Sequence, residues 1–259
     1  MYYFLSLLKC YICNYMKIVK LDAINSTNSY LKDLIRRTTV ENWTVALTEY
    51  QTDGKGQLEN KWVSDKGKNL TFSILVEFKN LDIAHQCYLN YAVSLALYHV
   101  LKYYIPEKLT VKWPNDIMSV NHKICGILIE SSINHTSVNH AIIGIGLNVN
   151  QEKFPAYLPH ARSLKMLLKK TIDKDELLDK ILFEIQYQLH VIQQQKFDEI
   201  KEQYEKVLYK KGVPSMFIDN DRTTFLGKII GVTNEGKLQI ELEDESVQTY
   251  NLKEIKFKL

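Results

Sequence analysis

Leu70, Phe72, Ile74, Val76 and Phe78 are apolar at every second position and alternate with mostly polar residues. A period of two places all five side chains on one face of a β-strand. A second constraint lies downstream. Leu177, Leu178, Ile181, Ile185, Leu189 and Ile192 recur at helical spacing, which predicts a long amphipathic helix, broken or bent, from about Lys174 to Leu208. Further strands are predicted at Lys17–Leu21, Trp43–Thr48, 109–113, 122–131 and 137–148, with a helix over 84–103. Ser26-Thr27-Asn28 is a capping triplet, followed by Leu31, Leu34 and Ile35 at helical spacing. Residues 52–69 are polar and punctuated by glycine, so they are expected to form a loop.

The texture changes after Gly212-Val213-Pro214. Short strand-like runs at 214–218, 224–233, 237–242 and 246–251 are separated by turns such as Asp219-Asn220-Asp221 and Asn234-Glu235-Gly236. They predict a small barrel of four or five strands, with a domain boundary near residue 210. The chain thus divides into 16–210 and 211–259. Residues 1–15, MYYFLSLLKCYICNY, are apolar but interrupted by Lys9 and Asn14. They fall short of the roughly 20 apolar residues of a membrane span and lack the basic start and small-residue cleavage site of a secretory signal. Met16 follows at once, so this stretch is expected to be either an extension of uncertain role or to lie upstream of the functional start.

Composition adds exclusions. With 46% hydrophobic and 24% charged residues, disorder and collagen-like structure are ruled out. A net charge of +3 provides no field for a polyanion partner. Only Arg36, Arg37, Arg162 and Arg222 are arginines, so a phosphate site must rely mostly on lysine and backbone N–H groups. The cysteines, Cys10, Cys13, Cys87 and Cys125, are too few and scattered for a disulfide framework, and a reducing cytoplasm suits them. Cys10 and Cys13 have the spacing of a redox or zinc pair but no second pair beside them.

Glycine is scarce, ten in all, and three clusters sit beside unusual polar residues. The first is Gln51-Thr52-Asp53-Gly54-Lys55-Gly56-Gln57, with Trp62 beyond it; a Gly-x-Gly loop frees N–H groups to face an anion. The second is Lys112-Trp113-Pro114-Asn115-Asp116, followed by Lys123-Ile124-Cys125-Gly126 and, four residues on, Glu130. The third, Gly144-Ile145-Gly146-Leu147-Asn148, ends an apolar strand, where its glycines are expected to leave room for a ligand against the sheet.

In this order, with Ser26-Thr27-Asn28, these segments resemble biotin protein ligases, also called biotin–[acetyl-CoA-carboxylase] ligases. The resemblance runs from about residue 18 to the end. It implies an α+β fold: a class II synthetase-like mixed, largely antiparallel sheet with packed helices, plus a C-terminal SH3-like β-barrel. It also implies a two-step reaction. Biotin's carboxylate attacks the α-phosphorus of ATP to give biotinyl-5′-AMP and pyrophosphate. A lysine of a biotin carboxyl carrier protein, from acetyl-CoA carboxylase or a related carboxylase, then attacks the mixed anhydride and releases AMP. Joining two anions calls for fixed positive charge and Mg²⁺.

On that resemblance Lys123 and Asp116 are the catalytic candidates. Asp116 either belongs with Asn148 near metal and phosphate, or orients the carrier lysine and takes its proton. Ser26, Thr27, Asn28, Gln51, Lys55, Gly56, Gln57, Lys123, Gly126 and Gly144 fall to biotin, and Lys55, Gln57, Trp62, Lys112, Asn115, Lys123 and Asn148 to ATP. Ser26 is equally suited to capping a helix, and Trp113 to plain core packing. One departure stands out. Relatives often carry Gly-Arg-Gly-Arg where this chain has Gly54-Lys55-Gly56-Gln57, so the bidentate guanidinium grip is lost.

Lipoyl ligases and octanoyl transferases share the fold but lack Lys-Trp-Pro-Asn-Asp and carry a glycine triplet not found here. A ligase that doubles as a repressor needs an N-terminal winged helix-turn-helix, and only 25 residues, without that pattern, precede Ser26. Binding to DNA or membrane is not expected, and the chain is expected to be a monomer or homodimer. A non-catalytic carrier-binding module would be told apart by its failure to release pyrophosphate.

Overall fold

A computed structural model describes residues 16–57 and 60–258. The expectation for residues 1–15 lies outside the described residues, as do Cys10 and Cys13. Seven strands form the main sheet: β1 (Lys17–Ile24), β2 (Thr44–Gln51), β3 (Leu70–Asp82), β4 (Leu109–Lys112), β5 (Asp116–Ser119), β6 (His122–Asn134) and β7 (Ser137–Leu147). Their order is β1-β2-β3-β7-β6-β5-β4, parallel only between β1 and β2, so the sheet is mixed and largely antiparallel.

The period-two run lies in β3, with Leu70, Phe72, Ile74, Val76 and Phe78 all in the main core. Register continues this face across the sheet. Phe72 pairs with Ile145, and Ile145 with Ile127. Against this face pack α2 (Cys87–Lys102) and, after the short α3 (Leu164–Leu168), α4 (Lys174–Gln193). Helix α2 is buried nearly all round because it lies between layers. The long helical stretch is broken, as its sequence suggests. Gln195 takes a left-handed φ of 58° after α4, and α5 (Phe197–Lys206) restarts beyond it.

The opposite face is covered too. Leu31 of α1 (Thr27–Arg37) packs with Ala46, Leu75 and Ile142 into a smaller cluster. Burial of such side chains contributes about 1.5–3 kcal/mol each, which seats the N-terminus of α1 on the sheet. Ser73 pairs with Gly144 and Thr71 with Gly146 on this same face. Thr71 and Ser73, polar positions of the β3 alternation, are therefore buried on the α1 side, whereas Glu77 is exposed.

The C-terminal sheet contains β8 (Pro214–Asp219), β9 (Thr224–Val232), β10 (Leu238–Leu242), β11 (Val247–Tyr250) and β12 (Ile255–Phe257). Its antiparallel order is β11-β10-β9-β8-β12, so the short runs expected after residue 212 form a small five-stranded antiparallel sheet.

The β9–β10 turn docks this sheet onto the main one. Trp113 Nε1 donates to the Gly236 carbonyl at 3.0 Å, Cys87 Sγ to the Asn234 carbonyl at 3.3 Å, and Lys201 Nζ to Asn234 Oδ1 at 2.7 Å. Burial pushes the Cys87 thiol up to about 11, so it remains a neutral donor. Gly236 sits at φ 89°, and a Cβ there would overlap Cys87. Gly236→Ala is therefore expected to destabilise the protein by more than the 1–2 kcal/mol or so of left-handed strain. Urea unfolding checks this; an unchanged midpoint would mean the turn is not docked this way.

Candidate active site

One narrow cavity opens on the face of the sheet that carries α1. Ser26, Thr27, Asn28, Gln51, Lys55, Gly56, Gln57, Trp62, Asn115, Lys123, Gly126 and Gly144 all line it, although they span more than a hundred positions of sequence. Thr71, Ile127, Leu128, Ile145 and Gly146 complete the walls.

Hydrogen bonds tie the α1 end to Gln51, Ser73 and Glu130. Ser26 is the N-cap in extended conformation, and its side chain makes no cap hydrogen bond. Thr27 N–H donates to Gln51 Oε1 at 2.8 Å. That donor can only face an oxygen, so the Gln51 amide is oriented with Nε2 as its remaining donor. Ser73, not singled out in the sequence, lies within 2.6 Å of Thr27 Oγ1 and 2.5 Å of Asn28 Oδ1. Asn28 Nδ2 in turn donates to Glu130 Oε2 at 2.7 Å, and Lys32 Nζ lies 2.5 Å from Glu130 Oε1. Burial pushes the Glu130 carboxyl up. The hydrogen bonds from Lys32 and Asn28, with the charges of Lys32 and Lys55, outweigh it and hold the group below the usual carboxylate range.

The glycine room predicted on the third cluster exists, but the protein's own side chains occupy it. A Cβ on Gly144 would overlap the Asn28 amide, and one on Gly146 would overlap the Trp62 indole. Trp62 also meets Gly126, and its Nε1 is buried without a partner. The loop that carries it is a small hairpin. Trp62 N–H bonds the Gly54 carbonyl at 2.8 Å, Gly56 N–H bonds the Asn60 carbonyl at 2.7 Å, and Lys55 bridges Lys61. Lys61 is engaged by Asp53 at 2.9 Å, leaving Lys55 as the loop cation that lines the cavity.

Lys123 Nζ lies 2.6 Å from Asp116 Oδ1 and 6.0 Å from the Trp62 ring centre. The pair is a charge contact off the hydrogen-bonding direction, so Asp116 Oδ1 counts as buried and unsatisfied despite its short distance. Strand β5, not predicted because Asp116-Ile117-Met118-Ser119 shows no apolar–polar alternation, brings them together: Asp116 pairs with Gly126, and a bulge after Ile117 sets Met118 opposite Lys123. Asn115 pins this turn to β6, donating from Nδ2 to the Ile127 carbonyl and accepting from Ile127 N–H at 3.1 Å.

Three candidates stand apart from the cavity lining. Asp116 reaches it only through Lys123. Asn148 donates from Nδ2 to the Arg162 carbonyl at 3.2 Å, and its Oδ1 is buried without a partner. Lys112 lines a separate groove against the C-terminal sheet, its Nζ 5.4 Å from the Phe257 ring centre. Burial holds its amine below the ordinary lysine range.

Comparison with known proteins agrees with this architecture. The biotin/lipoate A/B protein ligase family model matches residues 21–148. The chain is 29% identical over 236 residues to the bifunctional ligase/repressor BirA of Bacillus spizizenii, covering 89% of this chain and 71% of that protein. It is 27% identical over 173 residues to the biotin–[acetyl-CoA-carboxylase] ligase of Mycobacterium tuberculosis, covering 64% and 63% of the two. The biotin protein ligase from Aquifex aeolicus, solved with biotin and ATP, superposes with a TM-score of 0.77 at 26% identity, covering 93% of this chain and 98% of that one. With its mixed sheet, its α1-capped cavity and these likenesses, residues 21–148 carry the biotin/lipoate A/B protein ligase domain, and the chain is similar to the biotin protein ligases.

Proposed function

We propose that this chain condenses biotin with ATP to biotinyl-5′-AMP, then passes the biotinyl group to a lysine of a biotin carboxyl carrier protein of acetyl-CoA carboxylase or a related carboxylase. The observation that carries the reading is the convergence of the α1 end, Gln51, the Gly54–Trp62 loop and the Lys123–Asp116 pair on one cavity. The donors and acceptors of Thr27 and Gln51 suit a cyclic urea, which offers both. Lys123 supplies fixed charge where carboxylate and α-phosphate meet, and Asp116 holds its amine in place.

The expected Mg²⁺ calls for hard oxygen donors; the Asn148 Oδ1, buried without a partner, and the Asp116 carboxylate, which also holds Lys123, are of that kind. When bound, the ion would neutralise phosphate charge. Among the described residues no group of three or more His, Cys, Asp or Glu gathers to hold a metal, so substrate phosphate and water would complete its shell. The loop of residues 52–69 acts as the lid that keeps water from the mixed anhydride. Residues 211–259 form a second domain of SH3-like type, attached to a catalytic domain of residues 16–210. Among the described residues no helix is long and apolar enough to cross a membrane.

Pyrophosphate release from ATP, followed with biotin and lipoate side by side, tests the reading. Release with biotin alone is expected; release with lipoate alone would move the chain to the lipoyl branch of the family, and release with neither would reduce it to a binding module.

The loop departure yields its own prediction. Gln57→Arg is expected to slow loss of biotinyl-AMP, by about 1–2 kcal/mol if one charge-assisted hydrogen bond forms. Lys55→Ala is expected to weaken both biotin and adenylate binding, because Asp53 engages the other loop lysine, Lys61. Adenylate dissociation rates of the parent and both variants check this. Faster loss from Gln57→Arg would show that residue 57 does not face phosphate.

A further inference from the structure

Beneath the cavity, a chain of polar groups runs from Lys32 through Glu130, Asn28 and Ser73 to Thr27. Asn28, Ser73 and Thr27 are buried, so their protons cannot be supplied or taken up by bulk water. The direction of donation along the chain is therefore decided at its fixed end. An ionised carboxylate only accepts, and Lys32 at 2.5 Å keeps Glu130 ionised. The Leu128 carbonyl, 3.4 Å from the same Asn28 nitrogen, also only accepts. Both demands turn the Asn28 NH₂ toward β6 and its Oδ1 toward Ser73.

The rest follows from one proton per hydroxyl. Ser73 must donate to Asn28 Oδ1 at 2.5 Å. It is then an acceptor toward Thr27, whose Oγ1 lies 2.6 Å from Ser73 Oγ, against 3.2 Å from Gln51 Oε1. Either route consumes the Thr27 proton and leaves lone pairs for the cavity. Reversing Asn28 would reverse Ser73, and the Thr27 proton would be released from that bond. Gly144 is part of the arrangement, because any side chain there would collide with the Asn28 amide.

We propose that Glu130, held by Lys32, is a positioning residue that fixes the donor direction through Asn28 and Ser73, so that Thr27 meets the ligand as an acceptor and selects rings carrying N–H groups. This inference rests on biotin being the ligand; its ureido ring supplies such groups. None of Glu130, Lys32 or Ser73 need touch biotin.

The test is calorimetric binding of biotin, and of biotins methylated at one or the other ring nitrogen, to the full chain and to three variants. These are Glu130→Gln, Ser73→Ala and the exchange that combines Asn28→Asp with Glu130→Gln. In the exchange, the amide now at position 130 donates to the carboxylate now at position 28. That carboxylate still accepts from Ser73, so the direction is preserved with the partners swapped. Glu130→Gln and Ser73→Ala are expected to weaken biotin binding about tenfold or more and to narrow the gap between biotin and the disfavoured methylated form. The exchange is expected to recover much of both losses, which a purely structural role would not produce. Biotin KM is expected to rise in the single variants while kcat at saturation and ATP KM hold. Melting temperatures accompany each variant; Ser73→Ala, which removes one hydroxyl, decides the matter if Glu130→Gln fails to fold. Unchanged affinity and selectivity in the single variants, or an exchange no tighter than Glu130→Gln, would overturn the proposal. A parent protein that does not bind biotin would instead overturn the assignment of the ligand.

Discussion

Lys123→Ala is expected to lower pyrophosphate release with biotin and ATP by about 10²–10³-fold or more, the scale seen when one preorganised charge-stabilising group is removed from an active site. The amine stands at the cavity wall, 2.6 Å from Asp116, on a strand whose backbone is fastened independently of the side chain. Lys123 N–H donates to the His160 carbonyl at 2.9 Å, and its carbonyl accepts from Arg162 N–H at 3.1 Å. Alanine leaves both bonds intact, so far-ultraviolet circular dichroism and the melting temperature should stay close to the parent's. The loss should appear in kcat as well as in KM, because the charge matters most when two anions are forced together. Unchanged pyrophosphate release at saturating substrates would remove Lys123 from the chemistry.

The second large effect is expected at Gly146. A valine suits a central strand, and the pairing of residue 146 with Thr71 and Gly126 is made by backbone. Its Cβ, however, would occupy the position of the Trp62 indole. The ring has to leave the sheet, and the hairpin that carries it loses its seat. Loss of that burial costs the closed loop about 1.5–3 kcal/mol, or roughly 10- to 150-fold in the balance between closed and open. Adenylate should then escape and hydrolyse, so AMP should accumulate without a carrier present, while biotin still reaches Thr27 and Gln51. Single-turnover measurement of adenylate retention checks this. Retention equal to the parent's would mean that Trp62 is not part of the lid.

Periodicity, capping residues and glycine placement are properties of neighbouring residues, and on these the amino-acid sequence alone was sufficient. The period of two at Leu70–Phe78 and the helical spacing at Leu177–Ile192 established sheet and helix, and Ser26-Thr27-Asn28 marked where a helix begins. The ordered run of polar segments was enough to nominate the residues that line the cavity. Tertiary structure decided what depends on partners distant in the chain. Strand β5, Asp116-Ile117-Met118-Ser119, shows no apolar–polar alternation, and it exists because β4 and β6 flank it. The room left by Gly144 and Gly146 went to Asn28 and Trp62, because only the register of β3, β6 and β7 and the seating of α1 set those side chains over the glycines. Ser73 and Glu130 look like an ordinary strand serine and a solvated strand glutamate when read along the chain. They become a directional hydrogen-bond chain only when α1 lowers Asn28 between them, since the direction of a buried proton depends on its neighbours in space.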